Sequence, residues 1–545
     1  MKLAFRSLLP LALVFGIPGV PATAGGGLLP DGPGLESEGD IVHVANVSYG
    51  GGSDLEFATK TVRVLDENGE PVCARDERGE CVRDANGDVV YETEERDYAF
   101  AGRLSQPVQV IDITDPAKPV RVAEVPCRFN QNDVQVFGDT LLMAADASGP
   151  CTMANGATTN GAGFATADIS DPRFPRVIGR ANQPGGAHTL TVHPSRPLVY
   201  VSNGDISVNG SIHIWSIANP ANPVKVRDWA PQGAVEPPHD ITFNATGTRA
   251  YSAAQDAHTF ILDTTDPQNP STISVIVNEG ISYSHQADPT PDGKYLLIGD
   301  ELGGGAATLP SPGGPVHVYD IRNEQRPVKV GVIGTDATGV NGVSTAHVFR
   351  INPDGWTMAI GWYRDGVHVW DFSDIRGVGV YGSGAATGVG SRTIGWMRMP
   401  NANTWAAKMW QERHPGYVFA NDQGRGFDVF YVPSLGPGFV GTGRIRTGQI
   451  ADTSQTEREF LADCDHSPAT QGLDAWVAKL PPGTGGAELR ASGTAAALSV
   501  RFLTASCQPL GITRALPAAV PGGAAYAVVT MAAGSVQQRF VLSAA

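Results

Sequence analysis

Charge is scarce in this sequence. Asp, Glu, Lys and Arg make up 17% of its 545 residues, against roughly a quarter in ordinary globular chains. Basic residues are scarcer than acidic ones, 39 against 55, so the formal net charge is −16. That balance leaves no basic face for phosphates and excludes a nucleic-acid partner. Cysteine is limited to six residues, with no C-x-x-C, which excludes a thioredoxin-like or zinc-ribbon role. No G-x-S-x-G elbow, G-x-x-x-x-G-K-[ST] loop or H-E-x-x-H helix occurs, so three common catalytic motifs are missing. Beyond the first two dozen residues, no stretch approaches the roughly 18 apolar residues of a transmembrane helix. Gly and Pro are plentiful instead, at 66 and 40 residues, and 41% of the chain is hydrophobic. A turn-rich, ordered β protein with a large core is the expectation.

The N-terminus reads as a secretory signal over residues 1–24. Lys2 and Arg6 precede an apolar run from Leu8 to Val20, and Ala22-Thr23-Ala24 offers a cleavage site. Removing the two bases leaves 37 basic against 55 acidic residues, a mature charge of −18. A secreted or periplasmic, extracellular location follows, with no transmembrane segment. The cysteines fit an oxidising compartment. Pairing neighbours gives Cys73 with Cys81, Cys127 with Cys151 and Cys464 with Cys507, although six cysteines formally allow 15 connectivities.

Internal repetition is the main signal. VQVIDITDPAKPVRVAEV from Val108, FATADISDPRFPRVIGR from Phe164, IHIWSIANPANPVKVRDW from Ile212 and TFILDTTDPQNPSTISVI from Thr259 share one pattern. VHVYDIRNEQRPVKVGVI from Val316, and two looser copies from Val367 and Phe427, complete it. Each is a strand, a turn built on D/N-P-x-x-P or its relics, and a second strand. The aligned residues Asp112, Asp168, Ser216, Asp263, Asp320, Asp371 and Tyr431 are 47 to 60 apart, enough for four strands and their loops. Another hairpin precedes most pairs, as in His239-DITFNATGTRAYSAA. The expected fold is all-β: a seven-bladed β-propeller over 40–443, a linker over 444–463 and a small C-terminal β-sandwich over 464–545. A charged insert at 60–97 carries DENGE and DANGD, hairpin turn signals. DANGD also opens like a calcium loop, but the remaining ligand positions are missing.

The strand-turn repeat resembles that of the LVIVD-repeat proteins, in which a strand of the type IVD is followed by D-P-x-x-P. The resemblance covers roughly residues 40 to 443 and implies the propeller, but little biochemistry, because propellers host unrelated functions. More distantly, hairpins such as His285-QADPTPDGKYLLIGD resemble those of lactonase-like and selenium-binding-protein-like propellers. The C-terminal segment resembles modules appended to secreted bacterial enzymes, which implies attachment or stability.

In a propeller the heads of the innermost strands converge at one mouth of the central channel. His188, His239, His285 and His347 each open such a strand in their repeats, and His43 is assigned a similar place in VHVANV. Asn132 and Asn403 occupy the matching positions elsewhere. The ends of the next strands add Asp205, Asp256 with His258, Asp300 with Glu301, Asp365 and Asp422. Imidazoles with a carboxylate suit copper or zinc. The candidate metal set is therefore His188, His239, His285, His347, His43, His258, Asp300 and Glu301. The competing role for such histidines is structural: a bond to a neighbouring blade that holds register. His213, His317 and His368 recur in the third strand, away from the axis, and are expected to be structural. Gly303–Gly305 read as a flexible loop, and His466 stands apart from the set. Two functions fit: a secreted binding or scaffold protein for a small-molecule or surface ligand, or a metal-dependent enzyme, a copper oxidoreductase or zinc hydrolase.

Overall fold

A computed structural model describes residues 36–39, 41–202, 211–278, 280–301, 314–335, 345–353, 356–372, 392–436 and 439–445. It also describes 475–480, 485–492, 498–506, 508–531 and 538–544. The signal segment, linker residues 446–463, His466, Asp205, Gly303–Gly305 and the Cys464–Cys507 pair lie outside the described residues. Among those described the only helical element is a 3-10 turn at Pro433–Leu435. None of their helices is long and apolar enough to cross a membrane. The strands form antiparallel sheets, most of them four-stranded, in a propeller-like succession along the chain.

Most of the sheets before residue 439 are built from strands that are neighbours in sequence. The one from Pro238–Phe243 through Arg249–Ala254 and His258–Asp263 to Ser271–Val277 is representative. The third strand ends on the repeated acidic residue, whose side chain accepts the backbone N–H two residues on. Asp112 takes Thr114 N, Asp168 takes Ser170 N, Asp263 takes Thr265 N and Asp320 takes Arg322 N, all within 3.0 Å. The second Asp or Asn of the turn repeats the device: Asp115 on Ala117 N and Asp266 on Gln268 N. Two successive side-chain-capped turns, followed by proline, are why D-x-x-D-P recurs.

Neighbouring sheets meet through their first strands, and side chains tie each to the next. Ser53 Oγ donates to Gln131 O at 2.7 Å, and Asp133 Oδ2 accepts from Leu190 N at 2.8 Å. Thr189 Oγ1 donates to His239 O at 2.8 Å, and Gln286 Nε2 to Phe349 O at 2.9 Å. Val348 N reaches Trp405 O at 3.2 Å, and Lys408 Nζ returns to Leu55 O at 2.6 Å and to Asp54 at 2.8 Å. The last first-strand is thereby joined to the earliest one. Apolar residues from adjacent sheets fill the space between faces, for instance Phe57, Phe419, Phe427 and Ile111 in one cluster.

Two assignments made from the sequence are corrected. The segment Val42–Ser48, which carries His43, is not a first strand. It pairs with Gly426–Tyr431 as the outer strand of the last of these sheets, while Gly52–Arg63 is the first strand of the earliest. The alternation V-H-V-A-N-V is the same for an inner and an outer strand, so pairing alone decides between them. The N-terminal strand therefore locks the two ends of the succession together. The vacancy it fills arises because Phe439–Ile445, expected as that outer strand, instead pairs with Gln538–Ala544. Beyond residue 439, two four-stranded sheets share one core that includes Leu489, Val500, Phe502 and Val529.

The charged insert is a ladder of turns. Asp66, Asp76 and Asp84 each accept two backbone N–H groups across a tight turn, at 2.8 to 3.0 Å. The carboxylate of DANGD is thus engaged in a hairpin turn. Disulfides join Cys73 to Cys81 and Cys127 to Cys151.

The Lys408–Asp54 pair is buried where the last sheet meets the earliest. Lys408→Met alone strands a buried carboxylate and should cost about 3 kcal/mol or more. Adding Asp54→Leu to that variant should restore much of the loss. Denaturant midpoints of the single and double variants measure both.

Candidate functional site

The alternation of a strand would turn successive side chains to opposite faces, sending half of them into the sheet interfaces. The heads of the first strands escape this by a bulge. Pro238 pairs with Ala254 and Asp240 with Ala253, so His239 is the extra residue. Likewise Ser284 pairs with Asp300 and Gln286 with Gly299, leaving His285 extra, and Trp405 is extra between Thr404 and Ala406. His188 and Thr189 together face Ser202, and His347 and Val348 together face Gly361. A bulged residue is re-aimed relative to its strand. Here it brings imidazoles from four sheets into contact.

The rings form a continuous row. His188 Nε2 lies 2.8 Å from His239 Nε2. The His239 and His285 centroids are 4.2 Å apart, as are those of His285 and His347. Glu301 sits beside the row, 3.8 Å from His285 Nε2 and 3.7 Å from His347 Nε2. One ligand atom each from His239, His285 and Glu301 falls within 4.8 Å of the others. The Nδ1 atoms point to acceptors: His239 donates to His285 O at 2.9 Å, His347 to Trp405 O at 2.7 Å, and His188 faces Asp146 at 3.0 Å. A proton held on Nδ1 leaves Nε2 as the lone-pair atom.

Electrostatics follow from the burial. Desolvation, together with the neighbouring imidazoles, holds His239 and His285 well below the usual 6.5. Burial takes His347 down to about 3. His188 differs: burial opposes its charge, but Asp146 outweighs this and raises the pKa. A protonated His188 can donate Nε2–H to His239 Nε2, which accounts for their approach. Glu301 is raised by burial, against a hydrogen bond from the Tyr363 hydroxyl at 2.7 Å.

Four of the eight candidates, His188, His239, His285 and His347, form the row, and Glu301 joins them. The other three lie elsewhere. His43 is on the outer strand, bonded to Asp428 at 2.7 Å. His258 opens a third strand, where its Nδ1 faces Asp256 at 2.8 Å and its ring stacks on Phe260. Asp300 turns back to accept Ser282 N and Tyr283 N, so it orders the loop whose Tyr283 ring meets His239. Asn132 bonds Arg103 O and Gln106 O, and Asn403 N is capped by Asp422. Asp365 is taken up by His368 and Arg398. His213 bonds Asp228 and His317 bonds Asn278, in keeping with structural roles.

Sequence reasoning missed Asp146, Tyr363 and Trp405. Asp146 was accessible by the rule that found Glu301, because LLMAAD matches LLIGDE at the end of a second strand. Tyr363 carried no such signal. Its backbone sits at φ 44°, costly for an aromatic residue, and is held by reciprocal bonds with Thr404 at 2.8 and 3.0 Å.

No protein-family model matches the chain, and no curated protein matches its sequence. Among solved structures, it is similar to the β-propeller domain of Cps50 (Swd1) from Myceliophteria thermophila, at 12% identity and TM-score 0.43, covering 69% of this chain and 99% of that one. It is also similar to Kuenenia stuttgartiensis hydrazine synthase, at 13% identity and TM-score 0.44, covering 60% and 89%. A Desulfotomaculum acetoxidans protein of unknown function follows, at 16% and 0.38, covering 54% and 85%. The fold assignment rests on the strand pairing.

The buried row should make stability depend on pH in chelator-treated protein. Native His239, His285 and His347 stay neutral while the unfolded chain takes up protons below about 6.5, so stability falls as pH drops below that value. His188 acts oppositely, its contribution being complete below about 6.5 and lost as pH rises through its raised pKa. Within the row three outweigh one, at about 1.4 kcal/mol per pH unit for each net proton. Buried carboxylates with raised pKa values, Asp133, Asp240, Asp422 and Glu301, act the opposite way as pH falls, so the row is read from the difference between wild type and variant. From pH 7 to 5, His285→Ala should lose less stability, or gain more, than wild type; identical pH profiles of the denaturant midpoint would contradict a neutral His285.

Proposed function

We propose that this chain is an exported, LVIVD-type, seven-bladed β-propeller with a C-terminal β-sandwich, and that it binds a transition metal at the mouth of its channel. The blade count is supported by the sheets that succeed one another from Gly52–Arg63 to Gly426–Tyr431 and by the side-chain links around their first strands. The sandwich is supported by two sheets sharing one core. Export is supported by the signal-like N-terminus and by two disulfides.

One observation carries the metal reading: the Nε2 atoms of a buried histidine row turn toward each other and toward Glu301, while the Nδ1 atoms of His188, His239 and His347 face oxygens. A purely structural histidine needs one partner. His239 and His347 spend Nδ1 on that partner and direct the basic Nε2 to a shared space, while His188 would release its Nε2 proton when an ion takes the His239 lone pair. Neutral imidazole with one carboxylate suits copper or zinc. His239, His285 and Glu301 would hold the ion, with His188 and His347 flanking, and a bound ion would supply Lewis acidity or electron transfer there. Small adjustments of the rings would bring the nitrogens to metal-ligand distance of about 2.0–2.1 Å. On this reading the chain binds a ligand through the metal-bearing mouth.

A second reading, as a metal-dependent oxidoreductase or hydrolase, is favoured by the donor set. Three protein ligands leave a coordination position open, and a cavity lined by His239, His285 and His347 adjoins it.

Gently purified protein should carry about one equivalent of copper or zinc. Glu301→Gln should weaken retention, and His239→Ala with His285→Ala should abolish it. Metal analysis paired with thermal unfolding decides the matter. If the double variant loses stability while metal content stays unchanged, the histidines are structural and the site reading fails.

A further inference from the structure

Below the histidine row, the first strands enclose a cavity of about 190 Å³. Five carboxylates line its wall, and only two of them have a cation. Asp54 and Glu56 are each matched by a cation, Lys408 and Arg350, at 2.8 Å. Asp133, Asp240 and Asp288 line the same cavity, and among the described residues no lysine or arginine lies within ion-pair distance of them. Their partners are neutral: Leu190 N for Asp133, Ile241 N for Asp240 and the Thr242 hydroxyl for Asp288, at 2.7 to 2.8 Å. A second polar group lacks a partner. His285 lines this cavity, is 3% exposed, and its Nδ1 has no hydrogen-bond partner among the described residues.

Carboxylates withdrawn from water without a counter-charge are unfavourable, and a cation placed among them recovers that cost. Their spacing selects the kind of cation. A bare metal ion gathers its oxygens within one coordination shell, at about 2.3–2.6 Å for calcium. No three of these carboxylates come within 4.8 Å of one another, the sole such group among the described residues being His239, His285 and Glu301. The same spacing excludes a single ammonium group, since acceptors of three N–H bonds of about 2.8 Å lie about 4.6 Å apart. A diamine instead sets two ammonium groups apart, and its carbon chain can fill the remaining space beside Ile241, Val348 and Phe349.

We infer that the channel cavity binds a small organic diamine, its two ammonium groups divided among Asp133, Asp240 and Asp288, with His285 Nδ1 as a further acceptor when Nε2 carries the ring proton. This pocket stands on its own geometry and does not require the metal above it.

The test uses the full-length protein, both chelator-treated and metal-loaded, with 1,4-diaminobutane as probe. Butane-1,4-diol and calcium chloride at matched ionic strength are the comparisons. Calorimetric titration should show saturable diamine binding in both forms and none for the diol. Asp288→Asn and Asp133→Asn, each checked for native circular dichroism, should weaken the diamine by about tenfold or more. Equal binding of diol and diamine would overturn the inference, as would diamine affinity unchanged in both variants. Calcium binding without diamine binding would also overturn it, in favour of an inorganic cation. Diamine binding to protein that retains no metal would support this inference while the metal reading fails.

Discussion

The two-against-one bulge at the head of the first strands is the feature on which the site depends. Without it, strand alternation would bury His239 and His285 between sheets, where each would satisfy a single bond and nothing more. With it, the imidazole leaves the alternation while the next residues resume it, so the strand still delivers Asp240 and Gln286 to the channel wall. One local irregularity therefore serves two layers of the channel, a row of imidazoles and a set of carboxylates.

Burying so many polar groups is tolerable because they satisfy one another around the axis. The carbonyls of one bulge accept from the side chains of the preceding sheet: His239 O from Thr189, His285 O from His239, and Trp405 O from His347. Each link is modest, on the order of 1 kcal/mol net, but leaving any buried donor unmade costs more. The same links fix tautomers. A hydrogen bond made for packing thus determines which nitrogen is basic and where it points. Stability and chemistry are coupled at the same atoms, and Tyr363 shows the strain this entails: its left-handed backbone is held by Thr404 of the next sheet so that its hydroxyl reaches Glu301.

The periphery is built on the opposite logic. There the repeated Asp side chains cap their own turns, accepting a backbone N–H two residues away. Local devices repeat faithfully because each needs only its own few residues. The devices at the axis vary from sheet to sheet, with His, Asn, Ser or Trp at the bulge, because each must suit two neighbours.

That difference explains what was legible in the sequence. The turn repeat, its spacing and the recurrence of histidine ahead of the first hairpin were plain, and they sufficed to bring His188, His239, His285 and His347 together. All of these depend on residues close in sequence. The placement of His43 was not legible, since its strand is defined by a partner, Asp428, 385 residues away. Nor was the reach of Tyr363 to Glu301, which depends on a backbone held by an adjacent sheet. The sequence by itself determined the repeating unit and the residue types offered at its inner end, because hydrophobic alternation and capped turns act over short range. Which side chains share a space, which nitrogen is basic and which carboxylates lack a counter-charge were decided only in the tertiary structure, because these depend on contacts between sheets that no spacing in the chain records.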